Sequence, residues 1–360
     1  MRVAFDAGPL LDPQTGVGRY TRELGAALEL QGVELVHYAV ALRGRAGVPI
    51  SRWRLPARAM QALWRRFGGP SVERLVGAVD IVHATNFVLP ALRSTPGVVT
   101  VHDLSFYRDD TFPGGKRLRA LVPWSVGRAA LVIVPSAAIG EEVGGRFGLD
   151  RDRIAITPEG VSPLFFGATP LSDEALARVG VKRPFALAVS TIEPRKNLAR
   201  LLEAWERVRA RLGGWTLVLA GPSGWGPRLP KTEGVVPLGW VGDETLPGLL
   251  AAAEVFCYPS LYEGFGLPPL EAMAAGTPVV AATYTAASEV LGDAAVLVDP
   301  AEDRALDDAV VAVATDEALR SSLVVAGRAR ASAYTWEAAA RATIAAYESV
   351  FKDNDRRVET

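Results

Sequence analysis

Apolar runs of strand length alternate with longer stretches of helical spacing from one end of the chain to the other. In the first half RVAFDAG, VELVHYAV, VDIVHAT, GVVTVHD, ALVIVPS and RIAITPEG are short, rich in Val, Ile and Ala, and bounded by turn residues, which predicts strands. Between them RYTRELGAALELQG and AAIGEEVGGRFG space their apolar positions for one face of a helix. The second half repeats the theme, with PFALAVST, WTLVLAGP, VVPLGWV, EVFCYPS, TPVVAAT and AAVLVDP as strands and NLARLLEAWERVRARLG, ETLPGLLAAAE and LEAMAAG as helices. Strands that are apolar at nearly every position belong to sheets covered on both faces, hence to parallel βαβ units. The expected fold class is α/β, with two doubly wound, Rossmann-like sheets.

Pro158, Gly160, Pro163, Gly167 and Pro170 interrupt the pattern across PEGVSPLFFGATPLSDE, which places a boundary there. Residues 1–165 are expected to form one domain and 166–339 a second. The tract from Glu302 to Phe351 is helical, with a break near Tyr334 and Trp336. A chain of 360 residues exceeds the size at which one hydrophobic core stops growing, in keeping with two domains.

Composition narrows the class. Hydrophobic residues at 49% and charged residues at 22% mark an ordinary globular protein. Every apolar run is broken by charge, Gly or Pro before it could span a bilayer, and the start MRVAFDAGPL has no long apolar stretch of the signal-peptide kind, so a cytoplasmic chain is expected. The single cysteine, Cys257, excludes a disulfide framework and a cysteine metal cluster, and its apolar setting VFCYPS reads as core.

A net charge of −1 argues against nucleic acid as a partner, but the charge is uneven. Residues 1–165 carry 20 basic and 15 acidic side chains, leaving −6 for residues 166–360. Between Glu34 and Glu73 lie Arg43, Arg45, Arg52, Arg54, Arg58, Arg65 and Arg66 with no acid among them, interleaved with Trp53, Leu55, Met60, Leu63, Trp64 and Phe67. Arginine with tryptophan on one amphipathic segment, 43–67, suits an anionic membrane surface. It equally suits a solvated helix over the first domain.

Ligands of open parallel sheets bind beyond the carboxyl ends of the strands, so the chemistry is sought in the loops that follow them. The stretch EGFGLPPLE, Glu263 to Glu271, follows EVFCYPS and leads into a helix. Gly264 and Gly266 permit close approach of backbone, the helix start offers amides, and Glu263 and Glu271 accept hydrogen bonds from hydroxyls, a combination suited to a sugar joined to phosphate. In TIEPRKN, Arg195 and Lys196 stand at another strand end and can grip a diphosphate. Gly16 and Gly18 precede a helical pattern and can expose amides at its start, although Thr21 breaks the complete dinucleotide fingerprint G-x-G-x-x-G. His102, just past the strand GVVTVHD, can bond a hydroxyl, whereas His37 and His83 lie within strands and read as structural.

Together these residues resemble the retaining glycosyltransferases of family four. EGFGLPPLEAMAAGTPVV is similar to that family's E-x7-E signature, and TIEPRKNL to its phosphate-binding loop. TGVGRY, the VHD run, SAAIGEEV and RIAITPEGVSPLF resemble its first-domain and interdomain elements, so the likeness spans nearly the whole chain. It implies a GT-B fold in which two Rossmann-like domains face a central cleft and a final helix, 340–360, crosses back to the first domain. It implies further that Glu271 holds the ribose, that Glu263 lies near the donor sugar, and that Phe265, Gly266 and Leu267 present backbone to the donor. By the same likeness Arg195 and Lys196 neutralise the diphosphate, His102 approaches the sugar from the acceptor domain, and Trp240, Val241 and Gly242 flank the base. Ser190 and Thr191 stand where relatives often have glycine.

The expected activity is hexosyl transfer, best as mannose from GDP-mannose, to a sugar or lipid-linked acceptor hydroxyl, with retained α configuration and closure of the domains on the substrates. The implied scheme requires no cofactor and no metal. A UDP-glucose-type donor, a nucleotide-sugar epimerase and a non-catalytic nucleotide-sugar binding protein are the alternatives, and the broken glycine fingerprint counts against a nicotinamide oxidoreductase.

Overall fold

The computed structural model describes residues 1–11 and 15–358; Asp12, Pro13 and Gln14 of the glycine loop, and Glu359 and Thr360 of the expected crossing segment, lie outside the described residues. The chain forms two compact units, Met1–Gly160 with Trp336–Thr360, and Val161–Thr335. These limits fall a few residues before the 165 and 339 read from the breaks in pattern. Val161 N–H donates to the Tyr334 carbonyl at 2.9 Å and Val161 bridges Thr335, so both crossing points are pinned side by side within the second unit.

The first unit holds a seven-stranded sheet: β1 Arg2–Asp6, β2 Glu34–Val40, β3 Ser51–Trp53, β4 Ile81–Ala84, β5 Gly97–Thr100, β6 Leu131–Val134 and β7 Ile154–Ile156. Its order is β3-β2-β1-β4-β5-β6-β7, with every pair parallel. The chain winds one way from β1 and the other from β4, which makes the β1–β4 crevice the topological switch point. Val3, Phe5, Val82, Val98, Val99 and Ile133 are fully buried, as strands covered on both faces must be. The helix Trp336–Val358 returns to pack on the helix Gly16–Leu30, where the Gln31 amide donates to the Glu337 carbonyl at 2.9 Å.

The segment 43–67 corrects the expectation of a single amphipathic surface. It is broken by β3, a three-residue edge strand that its arginine-rich sequence did not signal, and its helix is only Ala57–Phe67. Met60 and Trp64 turn inward to pack with Ala91, Trp53 and Trp124, and the Trp64 indole N–H donates to the Pro70 carbonyl at 2.9 Å. The tryptophans are therefore packing residues, and the outward apolar groups are Leu55, Leu63 and Phe67 among Arg54, Arg58, Arg65 and Arg66. No helix among the described residues is long and apolar enough to cross a membrane.

The second unit holds a six-stranded parallel sheet, β8 Phe185–Val189, β9 Thr216–Ala220, β10 Val235–Gly239, β11 Val255–Tyr258, β12 Val279–Ala282 and β13 Val296–Val298, in the order β10-β9-β8-β11-β12-β13. Its switch point lies between β8 and β11. Trp205, fully buried with Leu201, Leu202, Val208 and Leu217, anchors one covering layer. Cys257 lies in the same core, where burial pushes its thiol up to about 12, an unreactive state.

Candidate functional site

The loops after β8 and β11 meet at the switch point of the second unit. The Leu261 amide donates to the Arg195 carbonyl at 2.9 Å, tying one loop to the other. Arg195 Nη1 then donates to Glu263 Oε2 at 2.6 Å and to the Tyr262 carbonyl at 3.1 Å, while Lys196 Nζ donates to Glu263 Oε1 at 2.6 Å and to the Tyr258 hydroxyl at 3.3 Å. Glu193 completes the cluster: Arg195 Nε lies 2.6 Å from its Oε1, and the Trp225 indole donates to its Oε2 at 3.0 Å. Burial by itself raises the Glu263 carboxyl, but the charges of Arg195 and Lys196 outweigh it and hold the group at about 2. Burial, then the adjacent Arg195, lowers the Lys196 ammonium below its ordinary value against the pull of Glu263.

Glu263 and the two cations, given separate tasks in the family pattern, thus form one ion cluster. Two carboxylates balance two cations there. The cations are preorganised donors whose present partners are carboxylates, a rigid arrangement with no excess field.

Directly after Glu263 the chain turns into the helix Leu267–Ala275. Gly266 sits at φ 107, and a Cβ there would stand 2.2 Å from the Tyr284 hydroxyl, which donates to the Phe265 carbonyl at 3.1 Å. The helix has no side-chain cap, and Pro268 and Pro269 have no N–H, so the orphan donors of the first turn reduce to the amides of Gly266 and Leu267. Glu271 lies on the second turn and is 2% exposed. Across the crevice the Ser190 hydroxyl is buried without a hydrogen-bond partner, beside a cavity of about 100 Å³ lined also by Gly221, Ser223, Pro237 and Gly239. Trp240 follows that lining, half-exposed, with Val241 and Gly242 beyond it.

In the first unit Thr15 Oγ1 accepts from the Gly18 amide at 3.0 Å and caps the helix Gly16–Leu30. This corrects the expectation of an open amide at Gly18: the preceding threonine has already taken it. His102 is brought to the carboxyl end of β5, where Nε2 donates to the Thr85 carbonyl at 2.8 Å and the ring stands edge-on to Tyr20 and Phe87 at 4.7 and 5.9 Å. Its Nδ1 lies 3.6 Å from Glu159 Oε1. His83 is fully buried, bonded to Tyr347 at 2.6 Å and Thr100 at 2.8 Å, and burial, with the nearby His102, lowers it to about 3. Among the described residues no group of three or more His, Cys, Asp or Glu is placed to hold a metal ion.

Glu159, Glu193 and Tyr258 were not singled out by sequence. Glu193 stands in the same loop as the two cations, which was the available signal; Glu159 stands between Pro158 and Gly160, where the sequence marks only a break in the pattern.

Residues 14–163 match the family described as Glycosyltransferase Family 4, and residues 183–316 match Glycosyl transferases group 1. The chain is 31% identical to O-antigen chain mannosyltransferase B of Escherichia coli, over 97% of its own length and 100% of that protein. It is 30% identical to D-inositol 3-phosphate glycosyltransferase of Kribbella flavida, over 94% and 88%. Among solved structures, sucrose-phosphate synthase of Thermosynechococcus elongatus matches with a TM-score of 0.76 at 22% identity, covering 98% of this chain and 100% of that one. WaaG, a glycosyltransferase involved in lipopolysaccharide biosynthesis, matches with a TM-score of 0.73 at 18% identity, covering 95% and 98%. Both likenesses are of fold, and that fold is GT-B.

Proposed function

We propose, from the premise that the chain belongs to glycosyltransferase family 4, that this hexosyltransferase moves mannose from GDP-mannose to a hydroxyl of a sugar or lipid-linked acceptor with retention of the α configuration. The mannosyl reading is supported by relatives named as O-antigen chain mannosyltransferases in Escherichia coli and Salmonella typhimurium. UDP-glucose is the next donor to test.

The observation that carries the proposal is the Arg195–Glu263–Lys196 cluster beside the uncapped helix start at Gly266. When the bond from the anomeric carbon to the β-phosphate oxygen breaks, its electron pair passes to the nucleoside diphosphate. Arg195, Lys196 and the Gly266 and Leu267 amides receive that charge without reorganising. The unpartnered Ser190 hydroxyl is available to the same phosphate, the Trp240–Gly242 loop to the base and Glu271 to the ribose.

A carboxylate held ionised between two cations is a poor nucleophile, which favours attack from the face of the departing group over a glycosyl–enzyme intermediate on Glu263. The acceptor oxygen bonds the anomeric carbon, and its proton goes to a phosphate oxygen of the leaving group. The scheme needs no metal and no cofactor. Trapping a covalent sugar on Glu263 would overturn it.

The outward Leu55, Leu63 and Phe67 among arginines support a peripheral contact with anionic lipid, and with it a cytoplasmic enzyme at the inner membrane surface. Sedimentation with anionic vesicles at low salt checks this; a protein left in the supernatant excludes it. The deciding experiment for the donor is thermal stabilisation by GDP, UDP and ADP and by their sugar-linked forms, on wild type and Arg195→Ala. Selective stabilisation by GDP-mannose, reduced in the variant, is expected. Stabilisation by UDP-glucose alone changes the donor, and none by any nucleotide in a folded sample sinks the donor site.

A further inference from the structure

The loops after β8 and β9 lie backbone against backbone, and that packing holds a second carboxylate on the cation cluster. The Ile192 amide donates to the Pro222 carbonyl at 3.0 Å, and the Gly224 amide donates to the Ile192 carbonyl at 3.2 Å. Two glycines permit the approach. A Cβ would stand 2.6 Å from the Ile192 carbonyl oxygen at Gly224 and 2.9 Å from Pro194 at Gly226. Trp225, between them, is thereby brought to Glu193, and its indole N–H donates to Glu193 Oε2 at 3.0 Å. The other oxygen, Oε1, pairs with Arg195 Nε at 2.6 Å. The Glu193 and Glu263 side chains are 10% and 9% exposed, so water screens neither charge well. Glu263 alone would leave Arg195 and Lys196 with an excess positive charge. Glu193 removes that excess, and a site shaped only to grip an anion as tightly as it can has no use for it.

We infer that Glu193, held by Trp225, is a positioning residue that acts through Arg195: it fixes the guanidinium and cancels the excess charge of the cluster, so that the nucleoside diphosphate product is not bound far more tightly than the donor. The inference rests on the proposal that the diphosphate of a nucleotide sugar lies against Arg195 and Lys196. In the donor the outer phosphate is an ester. Once its bond to the anomeric carbon breaks, the oxygen keeps the electron pair and the phosphate becomes terminal, with about one further negative charge near neutral pH. A cluster of net positive charge therefore favours product over donor, which slows release and strengthens inhibition. A neutral cluster with aligned donors recognises the diphosphate by geometry instead.

The test is calorimetric binding of GDP, GDP-mannose and inorganic pyrophosphate to the full chain, in wild type, Glu193→Gln and Glu193→Asp. UDP and UDP-glucose replace the guanosine pair if those are what wild type binds. Glutamine keeps the shape and an acceptor for the indole but removes the charge. Glu193→Gln is expected to bind GDP about tenfold more tightly and GDP-mannose about threefold more tightly, with a steeper dependence on salt than wild type. Glu193→Asp keeps the charge and is expected to return the ratio of the two affinities toward wild type. A carboxylate that only braces the fold gives the opposite sign, weaker binding of both ligands with a lower melting temperature. That result, or unchanged affinities, overturns the inference.

A second measurement needs no variant to fold. For wild type, a neutral cluster predicts that the Kd of pyrophosphate rises less than about threefold between about 0.05 M and about 0.5 M NaCl, and a much steeper rise overturns the inference. Pyrophosphate bound more tightly by Glu193→Gln, in a protein that binds no nucleotide sugar, would uphold the role of Glu193 and retire the proposed donor site. Nucleotide-sugar binding that Glu193→Gln leaves unchanged or weakens would do the reverse. No binding of any of these probes to wild type overturns both.

Discussion

Two helix starts read alike in the sequence and differ in the structure. Gly16–Leu30 in the first unit and Leu267–Ala275 in the second both begin beside paired glycines, in loops that follow parallel strands. Thr15 closes the first by accepting from the Gly18 amide, and a Cβ on Gly16 would meet nothing within 4 Å. The second has no cap, two prolines in its first turn, and a glycine wedged under Tyr284. Glycine near a helix start is thus a weak sign of an anion site by itself. What distinguishes the two is whether a side chain has already claimed the amides and whether the glycine is sterically required.

The largest effect separating the two is expected from Gly266→Ala. A positive φ and a methyl 2.2 Å from the Tyr284 hydroxyl force the loop to shift, at a cost of about 3 kcal/mol or more in stability, with loss of nucleotide binding. Thermal melting with and without GDP measures both, and a variant that melts and binds like wild type would falsify the wedge.

Buried carboxylates sharpen the contrast through pH. Glu263, held by its two cations at about 2 against an ordinary 4.5, contributes stability that is complete above about 4.5 and is lost as pH falls toward 2. Asp6, at the end of β1 in the first unit, is raised from 3.8 to about 6 by burial, the Gly8 amide opposing only in part. Its ionisation costs the fold stability that begins to be lost as pH rises past 3.8, with the loss complete above about 6. Each shift is on the order of 3 kcal/mol. Denaturant titrations across pH should therefore show Asp6→Asn gaining on wild type between pH 4 and 7, while Glu263→Gln falls behind above pH 4.5 and converges toward pH 2. Parallel curves for both variants would show that neither shift exists.

Lys196→Ala comes next. Loss of one charge-assisted contact in the transition state costs roughly 1.5–3 kcal/mol, a rate reduction on the order of 10- to 100-fold. Full activity in steady-state assays would remove Lys196 from the chemistry.

The sheets were legible because strands apolar at every position have few other uses, and β3 was not, being three residues among arginines at an edge. The candidate site was legible as residue types after strands, but its wiring was not. Arg195 and Glu263 are 68 residues apart, and only the adjacency of β8 and β11 makes them one cluster. Glu159 in TPEG is indistinguishable from a turn acid until the fold sets it opposite His102. The tryptophans at 53 and 64 misled for a related reason: a helix that covers a sheet edge needs apolar residues on its inner face, and in a string of letters that face looks like one prepared for lipid.

The smallest predicted effects test the closed helix start. Removing the cap by Thr15→Ala should cost about 1 kcal/mol, because the Gly18 amide loses its acceptor. Gly16→Ala should change stability by no more than about 0.5 kcal/mol, since the added methyl enters open space in a first turn where alanine is well tolerated. Chemical denaturation measures both. If Gly16 instead contributes only by presenting backbone to a ligand, Gly16→Ala will leave the unliganded melt untouched and weaken donor or acceptor KM. A loss of stability without ligand would mean that the open space at Gly16 is filled by a part of the fold, and the distinction between the two helix starts would narrow to the cap alone.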